Sequence, residues 1–146
     1  MKISAATAAV ILRGGISPFI KAKRVDNNVL TRCSTCIDVD MFNNQSGIKH
    51  NYIVSAGGIG IYFSGTSNGS GPTIEKNYVR EYETGVKSAD PSNGRVKFNI
   101  IAESAPNATS PSLFDLASGV TIEGNICSDE SYCPIPSMSD LPFTLP

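Results

Sequence analysis

The sequence lacks long apolar runs, an excess of either charge, and stretches rich in helix-forming residues. No run approaches the roughly 18 apolar residues that a membrane-spanning helix needs. The formal net charge is −1, so no electrostatic attraction favours nucleic acid or an anionic membrane. The longest helix-compatible run is residues 4–12. These absences predict neither nucleic-acid nor membrane partners, and they disfavour a helical fold.

Tryptophan is absent and histidine occurs once, whereas Asn, Ser and Gly are abundant. Residues of this kind favour turns and short strands. A chain of 146 residues is long enough for one domain with a substantial core. The composition therefore predicts a turn-rich, all-β domain.

The chain contains five copies of one six-residue unit. Residues 48–53 are an example: an aliphatic residue, a charged residue, a variable residue, an Asn and an apolar pair. The Asn residues of successive copies stand 22 to 26 positions apart, and they are Asn28, Asn51, Asn77, Asn99 and Asn125. A repeat of this length indicates a solenoid.

A second apolar segment follows each of the first four Asn residues at a distance of about ten residues. Alternation along a strand predicts two inward rows and one outward row in this segment. The inward rows are Ile37, Ile61, Val86 and Phe114, and Val39, Phe63, Ser88 and Leu116. We call the outward row the outer column, and it consists of Asp38, Tyr62, Lys87 and Asp115.

Each repeat can bury its apolar face only against the next repeat, which is the packing principle of a solenoid. We therefore predict an all-β fold, a parallel β-helix of about five coils, in residues 25–127. Residues 1–24 are predicted to form a partial first coil, because residues 9–12 resemble the second apolar segment of an earlier coil. Residues 128–146 are rich in Pro and are predicted to form an irregular cap or docking tail.

The repeated Asn predicts a structural ladder rather than a ligand site. Asn tolerates the left-handed backbone conformation that bends one strand into the next. Its side-chain amide can also hydrogen-bond the Asn residues in the coils before and after it. We expect Asn28, Asn51, Asn77, Asn99 and Asn125 to stack in this way.

The charged residues of the units alternate in sign from coil to coil. Stacked in register, each charge has an opposite neighbour, whereas like charges would repel. We call this row the charge ladder, and it consists of Asp26, Lys49, Glu75, Lys97 and Glu123. Each exposed pair contributes a few tenths of a kcal/mol, so the ladder fixes register more than it stabilises.

Four cysteines stand as the pairs Cys33/Cys36 and Cys127/Cys133. Four cysteines can form a zinc site. Here the pairs lie in the first and fifth repeats, about 20 Å apart at strand spacing. We therefore predict no metal site, and any disulfides should be local.

These units make residues 25–127 resemble the right-handed parallel β-helix repeat of the pectate-lyase-like superfamily. The resemblance rests on residues 48–53 with Gly60-Ile61, and on residues 74–79 with Gly85-Val86. Members of this superfamily include pectate and alginate lyases, polygalacturonases, sugar epimerases and the tailspikes of bacteriophages. The resemblance implies an extracellular or virion-surface protein that binds or depolymerises polysaccharide along the outside of the helix.

The outer column is the candidate polysaccharide site, and Arg80 and Glu83 could join it around a turn. If the chain is a lyase, Lys87 would accept a proton and Tyr62 would donate one. Asp38 and Asp115 lie about 14 Å apart at strand spacing, too far for a glycosidase pair. No cofactor is predicted, except Ca²⁺ if the chain is a lyase. The sequence has neither the Asp-Asp pair of polygalacturonases nor the calcium-binding acid cluster of pectate lyases, so catalysis stays open.

Two alternatives remain from the sequence. The chain could be a non-catalytic structural segment of a virion fibre or surface protein, as part of a homotrimer or with further coils of a longer chain. It could instead be a fragment of a secreted polysaccharide lyase or hydrolase.

Overall fold

A computed structural model describes residues 2–12, 24–40, 47–64, 72–89 and 94–127, and these residues form strands and turns without a helix. The thirteen strands are β1 (Lys2–Leu12), β2 (Arg24–Asp26), β3 (Val29–Asp40), β4 (Gly47–Lys49), β5 (Tyr52–Ser64), β6 (Thr73–Glu75), β7 (Tyr78–Arg80), β8 (Thr84–Ser88), β9 (Arg95–Lys97), β10 (Ile100–Ile101), β11 (Ser112–Asp115), β12 (Thr121–Glu123) and β13 (Ile126–Cys127). Within these ranges, no helix is long and apolar enough to cross a lipid bilayer.

The strands pair in parallel, and like segments of successive repeats stack on one another. One sheet has five strands in the order β12-β9-β6-β4-β2. The other has eight strands: six follow the order β1-β3-β5-β7-β10-β13, while β8 pairs with both β5 and β11. The prediction of an all-β parallel solenoid is therefore confirmed.

The solenoid has about three turns, so the prediction of about five coils is wrong. Each repeated Asn lies at a corner between two strands. It shows that a coil begins there, but it does not show that the coil is complete. The last corner, at Asn125, is followed by the two residues of β13, where the described part of the chain stops. Counting corners therefore overestimates the number of turns.

Strand β1 stacks on β3 over its whole length, from Lys2 opposite Val29 to Leu12 opposite Val39. Val10 lies opposite Ile37, so residues 10–12 stack on the second apolar segment of the first full repeat. The run most compatible with a helix is a strand here, because pairing with β3 outweighs its local propensity. The predicted connection in residues 13–23 and the predicted tail in residues 128–146 lie outside the described residues.

The core consists of aliphatic rows that run along the solenoid. Ile37, Ile61 and Val86 are fully buried and stack in register, and Phe114 extends the row and is partly buried. Val39, Phe63 and Ser88 form the predicted second row, and Leu116 packs against the core beyond the end of β11. Both inward rows are therefore placed as predicted.

The cysteines of β3 form a local disulfide, Cys33–Cys36, whose Cα atoms lie 5.0 Å apart. Both are fully buried. Cys127 is also disulfide-bonded. The expectation of local rather than long-range cross-links holds for the pair that the structure describes.

Gly60 and Gly85 lie opposite each other where two coils approach closely. A Cβ atom on Gly85 would lie 2.7 Å from Cγ2 of Ile101 and 2.7 Å from the carbonyl oxygen of Leu113. A Cβ on Gly60 would lie 2.4 Å from a methyl group of Val79. The Gly-aliphatic unit of the repeat therefore exists because a side chain does not fit there.

The Asn ladder is present, and its hydrogen bonds have a direction. The Oδ1 atom of Asn77 accepts bonds from the main-chain N–H and the side-chain Nδ2 of Asn51, at 3.1 and 2.9 Å. Asn77 in turn donates to Oδ1 of Asn99, at 3.0 and 2.9 Å. Asn28, Asn51, Asn77 and Asn99 each donate in this way to the Asn of the next coil, ending at Asn125.

The bend at each corner is not made by the ladder Asn, and that part of the prediction is wrong. The residue before the Asn takes the left-handed conformation, with φ between 54° and 59° at Asn27, His50, Lys76, Phe98 and Gly124. The amide of the ladder Asn instead reaches back two residues, as from Asn51 Nδ2 to the carbonyl of Lys49. The preceding residue makes the turn, and the Asn side chain satisfies the backbone groups that the turn leaves unpaired.

Candidate functional site

The outer column lies on strands β3, β5, β8 and β11 of the eight-stranded sheet. Asp38 is opposite Tyr62, Tyr62 is opposite Lys87, and Lys87 is opposite Asp115. Tyr62 and Lys87 are half-buried, while Asp115 is exposed. The structure therefore brings all four predicted residues together on adjacent rungs, which lie about 4.8 Å apart.

Lys87 and Asp115 form an ion pair across adjacent rungs. The Nζ atom of Lys87 lies 2.6 Å from Oδ2 of Asp115. The two side chains are 39% and 55% exposed, so solvent screens their attraction and the pair adds little to stability. The pair does fix the position of the lysine on the outer surface.

Arg80 lies on a different side of the solenoid from the outer column. It occupies β7, in register with Val54, and its guanidinium lies 2.7 Å from Glu81 and 3.6 Å from Glu103. The hydrogen bond to Glu81 raises the pKa of Arg80 further above its ordinary value. Among the described residues no contact joins Arg80 to the outer column, so its predicted place in that site has no structural support.

The side chain of Glu83 hydrogen-bonds the loop that precedes β11. Its Oε1 atom accepts hydrogen bonds from the hydroxyl of Thr109 at 3.0 Å and from the main-chain N–H of Ser110 at 3.2 Å. Its own carbonyl accepts the N–H of Ser112, the first residue of β11. Glu83 thus positions the strand that carries Asp115, and its predicted contact with a sugar stays a prediction.

Sequence reasoning missed a pair of stacked tyrosines on the same side of the solenoid as Arg80. The rings of Tyr52 and Tyr78 are parallel, with centroids 5.0 Å apart. Burial and the nearby carboxylate of Glu103 raise the pKa of Tyr78 above its ordinary value. The signal was available, because an Asn-Tyr pair occurs at the same position of two successive units.

The charge ladder lies on the five-stranded sheet and is centred on Glu75. Its Oε1 atom lies 2.6 Å from Nζ of Lys49, and its Oε2 atom lies 3.3 Å from Nζ of Lys97. Burial acts to raise the pKa of Glu75, but the two lysines outweigh it, so the pKa lies below its ordinary value. The predicted register of all five charges is confirmed.

No group of three or more His, Cys, Asp or Glu side chains within the described ranges is arranged to hold a metal ion. Comparison with protein-family models, with curated proteins and with solved structures finds no match to this chain. The class of protein therefore rests on the fold itself: an all-β, parallel β-solenoid with an internal Asn ladder.

Proposed function

We propose that this chain is a right-handed, pectate-lyase-like β-helix module that binds a polysaccharide along the outer column, outside the cell or on a virion surface. The observation that carries the proposal is the register of Asp38, Tyr62, Lys87 and Asp115 on four adjacent rungs. A repeating sugar chain can meet such a column residue by residue. Right-handed connection between parallel strands is also the general rule.

The chemistry of the column suits sugar recognition. Tyr62 offers an aromatic face and a hydroxyl, as interface tyrosines commonly do. The Lys87–Asp115 pair offers charged donors and acceptors to hydroxyl or carboxylate groups of a sugar. Because both ions are partly exposed, a ligand can reach them without first breaking a buried pair.

Binding is proposed ahead of depolymerisation. A lysine that accepts a proton from a sugar must reach that sugar, whereas Nζ of Lys87 lies 2.6 Å from a carboxylate oxygen of Asp115 and is held by that contact. The catalytic roles of Lys87 and Tyr62 stay predictions, and the assay below decides them. So does the role of Ca²⁺, which would matter only for a lyase.

The test is binding of the full chain to a panel of acidic and neutral polysaccharides, measured by affinity electrophoresis and calorimetry. For a polysaccharide that binds, Tyr62→Ala and Lys87→Ala should each weaken affinity about tenfold, which corresponds to about 1.4 kcal/mol. Arg95→Ala is the matched control, because Arg95 is an exposed cation on the five-stranded sheet.

Two results would contradict the proposal: no binding to any member of the panel, or equal losses in the Arg95 and Lys87 variants. The first would favour the structural segment of a virion fibre or surface protein. Release of unsaturated sugars or new reducing ends, abolished by Lys87→Ala with an unchanged circular dichroism spectrum, would show a depolymerase.

A further inference from the structure

At the β12 end of the solenoid, no described residue fully covers the last member of one inward row. Ile122 belongs to an inward row that continues through Val96, Ile74, Ile48 and Val25. Those four side chains are at most 4% exposed, whereas Ile122 is 46% exposed. An inward-facing aliphatic side chain is therefore half in solvent at this end.

The Asn ladder also ends with unused donors here. Asn99 makes four donor contacts: its N–H and Nδ2 bond Oδ1 of Asn125, and Nδ2 also bonds the carbonyls of Ile74 and Lys97. Asn125 makes one, from Nδ2 to the carbonyl of Val96 at 2.8 Å. Within the described ranges its N–H and second amide hydrogen have no acceptor, although Asn125 is only 1% exposed. Such groups are costly to leave unpaired.

The charge ladder ends at the same place with an uncompensated acid. Lys97 is in register with Glu123 but forms its ion pair with Glu75. Glu123 is exposed and has no ion pair with any described residue. A cation placed on the far side of β12 would continue the alternation of the ladder.

We propose that this end face, formed by β12 and Asn125, is an interaction surface for one further parallel β-coil from another protein. The partner coil carries an aliphatic–basic–x–Asn unit. Its aliphatic residue covers Ile122, its basic residue pairs with Glu123, and its Asn Oδ1 accepts the free donors of Asn125. Edge strands are suited to pairing of this kind.

The charges exclude a second copy of this chain as the occupant. Stacked head to tail in register, a second copy would bring the strand of Asp26 against that of Glu123, and two acids would meet. The opposite end also differs in shape, because β1 covers β3 but does not pair with β2. The aliphatic–basic–x–Asn unit does not occur in residues 128–146, which contain no Lys, Arg or Asn.

The test uses a labelled synthetic peptide of residues 95–115 as the probe, because it contains the unit Val96-Lys97-Phe98-Asn99. Fluorescence anisotropy should show saturable binding to the full-length protein, and a Lys97→Glu peptide should bind at least about tenfold more weakly. The Glu123→Lys protein should reverse this preference. Glu103→Lys is the matched control, since it makes the same charge change elsewhere, and it should leave the preference unchanged.

A free peptide loses conformational entropy when it binds, and this loss can hide the interaction. A tethered form of the experiment reduces that loss. The same peptide, joined to the C-terminus through a Gly/Ser linker, should raise the melting temperature, and its Lys97→Glu version should not. The proposal is overturned if the free peptide does not bind and the tethered peptide does not raise the melting temperature. It is also overturned if these results do not depend on the charge at position 123. Concentration-dependent self-association that Glu123→Lys abolishes would make a second copy the occupant and overturn the choice of partner. None of these outcomes depends on polysaccharide binding.

Discussion

Two columns of side chains run along this solenoid, and they differ in what varies from coil to coil. The ladder column has Asn at every position, and its last four members are at most 2% exposed. The outer column has Asp, Tyr, Lys and Asp at successive positions, and all four are at least partly exposed. Both place one residue on each successive coil.

The difference separates residues that stabilise the coil from residues that lie on its outer surface. A ladder Asn satisfies backbone groups of its own coil and of its neighbours, so no other side chain fits all of its bonds. In the outer column, Lys87 and Asp115 pair with each other, and both side chains are partly exposed to solvent. We expect substitutions in the first column to cost stability and substitutions in the second to cost binding.

The largest expected effect is from Asn77→Ala. It removes the acceptor for the N–H and Nδ2 of Asn51 and the donors to the carbonyls of Ile48 and Glu75. Because these groups are buried, we expect a loss of about 3–4 kcal/mol in the free energy of unfolding. Urea denaturation followed by circular dichroism measures it. A loss below 1 kcal/mol would show that the ladder is dispensable.

Gly85→Ala should have the next largest effect. The added Cβ would lie 2.7 Å from both Cγ2 of Ile101 and the carbonyl oxygen of Leu113, so the coils must move apart. Overpacking of this kind costs about 1–3 kcal/mol. The same denaturation experiment checks it. Ala102→Gly is a control for the different backbone freedom of Ala and Gly, because Ala102 is half-buried and lies outside the strands.

Glu75→Gln should destabilise the protein by about 1 kcal/mol at neutral pH, because both lysines lose their partner. The folded-state pKa of Glu75 lies below its unfolded value of 4.5. Its stabilisation is therefore fully present above that value and is lost as pH falls through the folded pKa. The difference in melting temperature between wild type and variant should shrink as the pH is lowered below 4.5. A difference that stays constant would assign the effect to packing. Glu123→Gln is the matched control, because Glu123 is exposed and has no ion pair with any described residue, and it should change the melting temperature little.

The smallest effect on stability is expected for Lys87→Ala. The Lys87–Asp115 pair is exposed, so its loss should change the free energy of unfolding by less than about 0.5 kcal/mol. The same substitution should weaken polysaccharide binding about tenfold if the proposed function is correct. A large loss of stability would instead show that Lys87 stabilises the fold rather than serving only in binding.

Much of the fold could be predicted from the sequence because the repeat fixes which residues stack. Asn51 and Asn77 align one segment of the coil, and the apolar residues Ile61 and Val86 align the second, which places Tyr62 opposite Lys87. The rest depends on local geometry that the repeat does not contain. The left-handed residue was misplaced by one position because side-chain tolerance is a weak guide to which residue of a corner turns. The second, more distant partner of Arg80 was missed because Glu103 stands just after β10, outside any repeated position.

The left-handed corners also provide regularly spaced positions at which other side chains can be introduced. Asn27, His50, Lys76 and Phe98 share a backbone conformation but no property of their side chains. Each can therefore be exchanged for residues that tolerate positive φ without touching the ladder beside it. Groups attached at these corners would stand in a single file, about 4.8 Å from one to the next. Gly124 is the exception, because the ring of Phe98 occupies the space that a side chain would need.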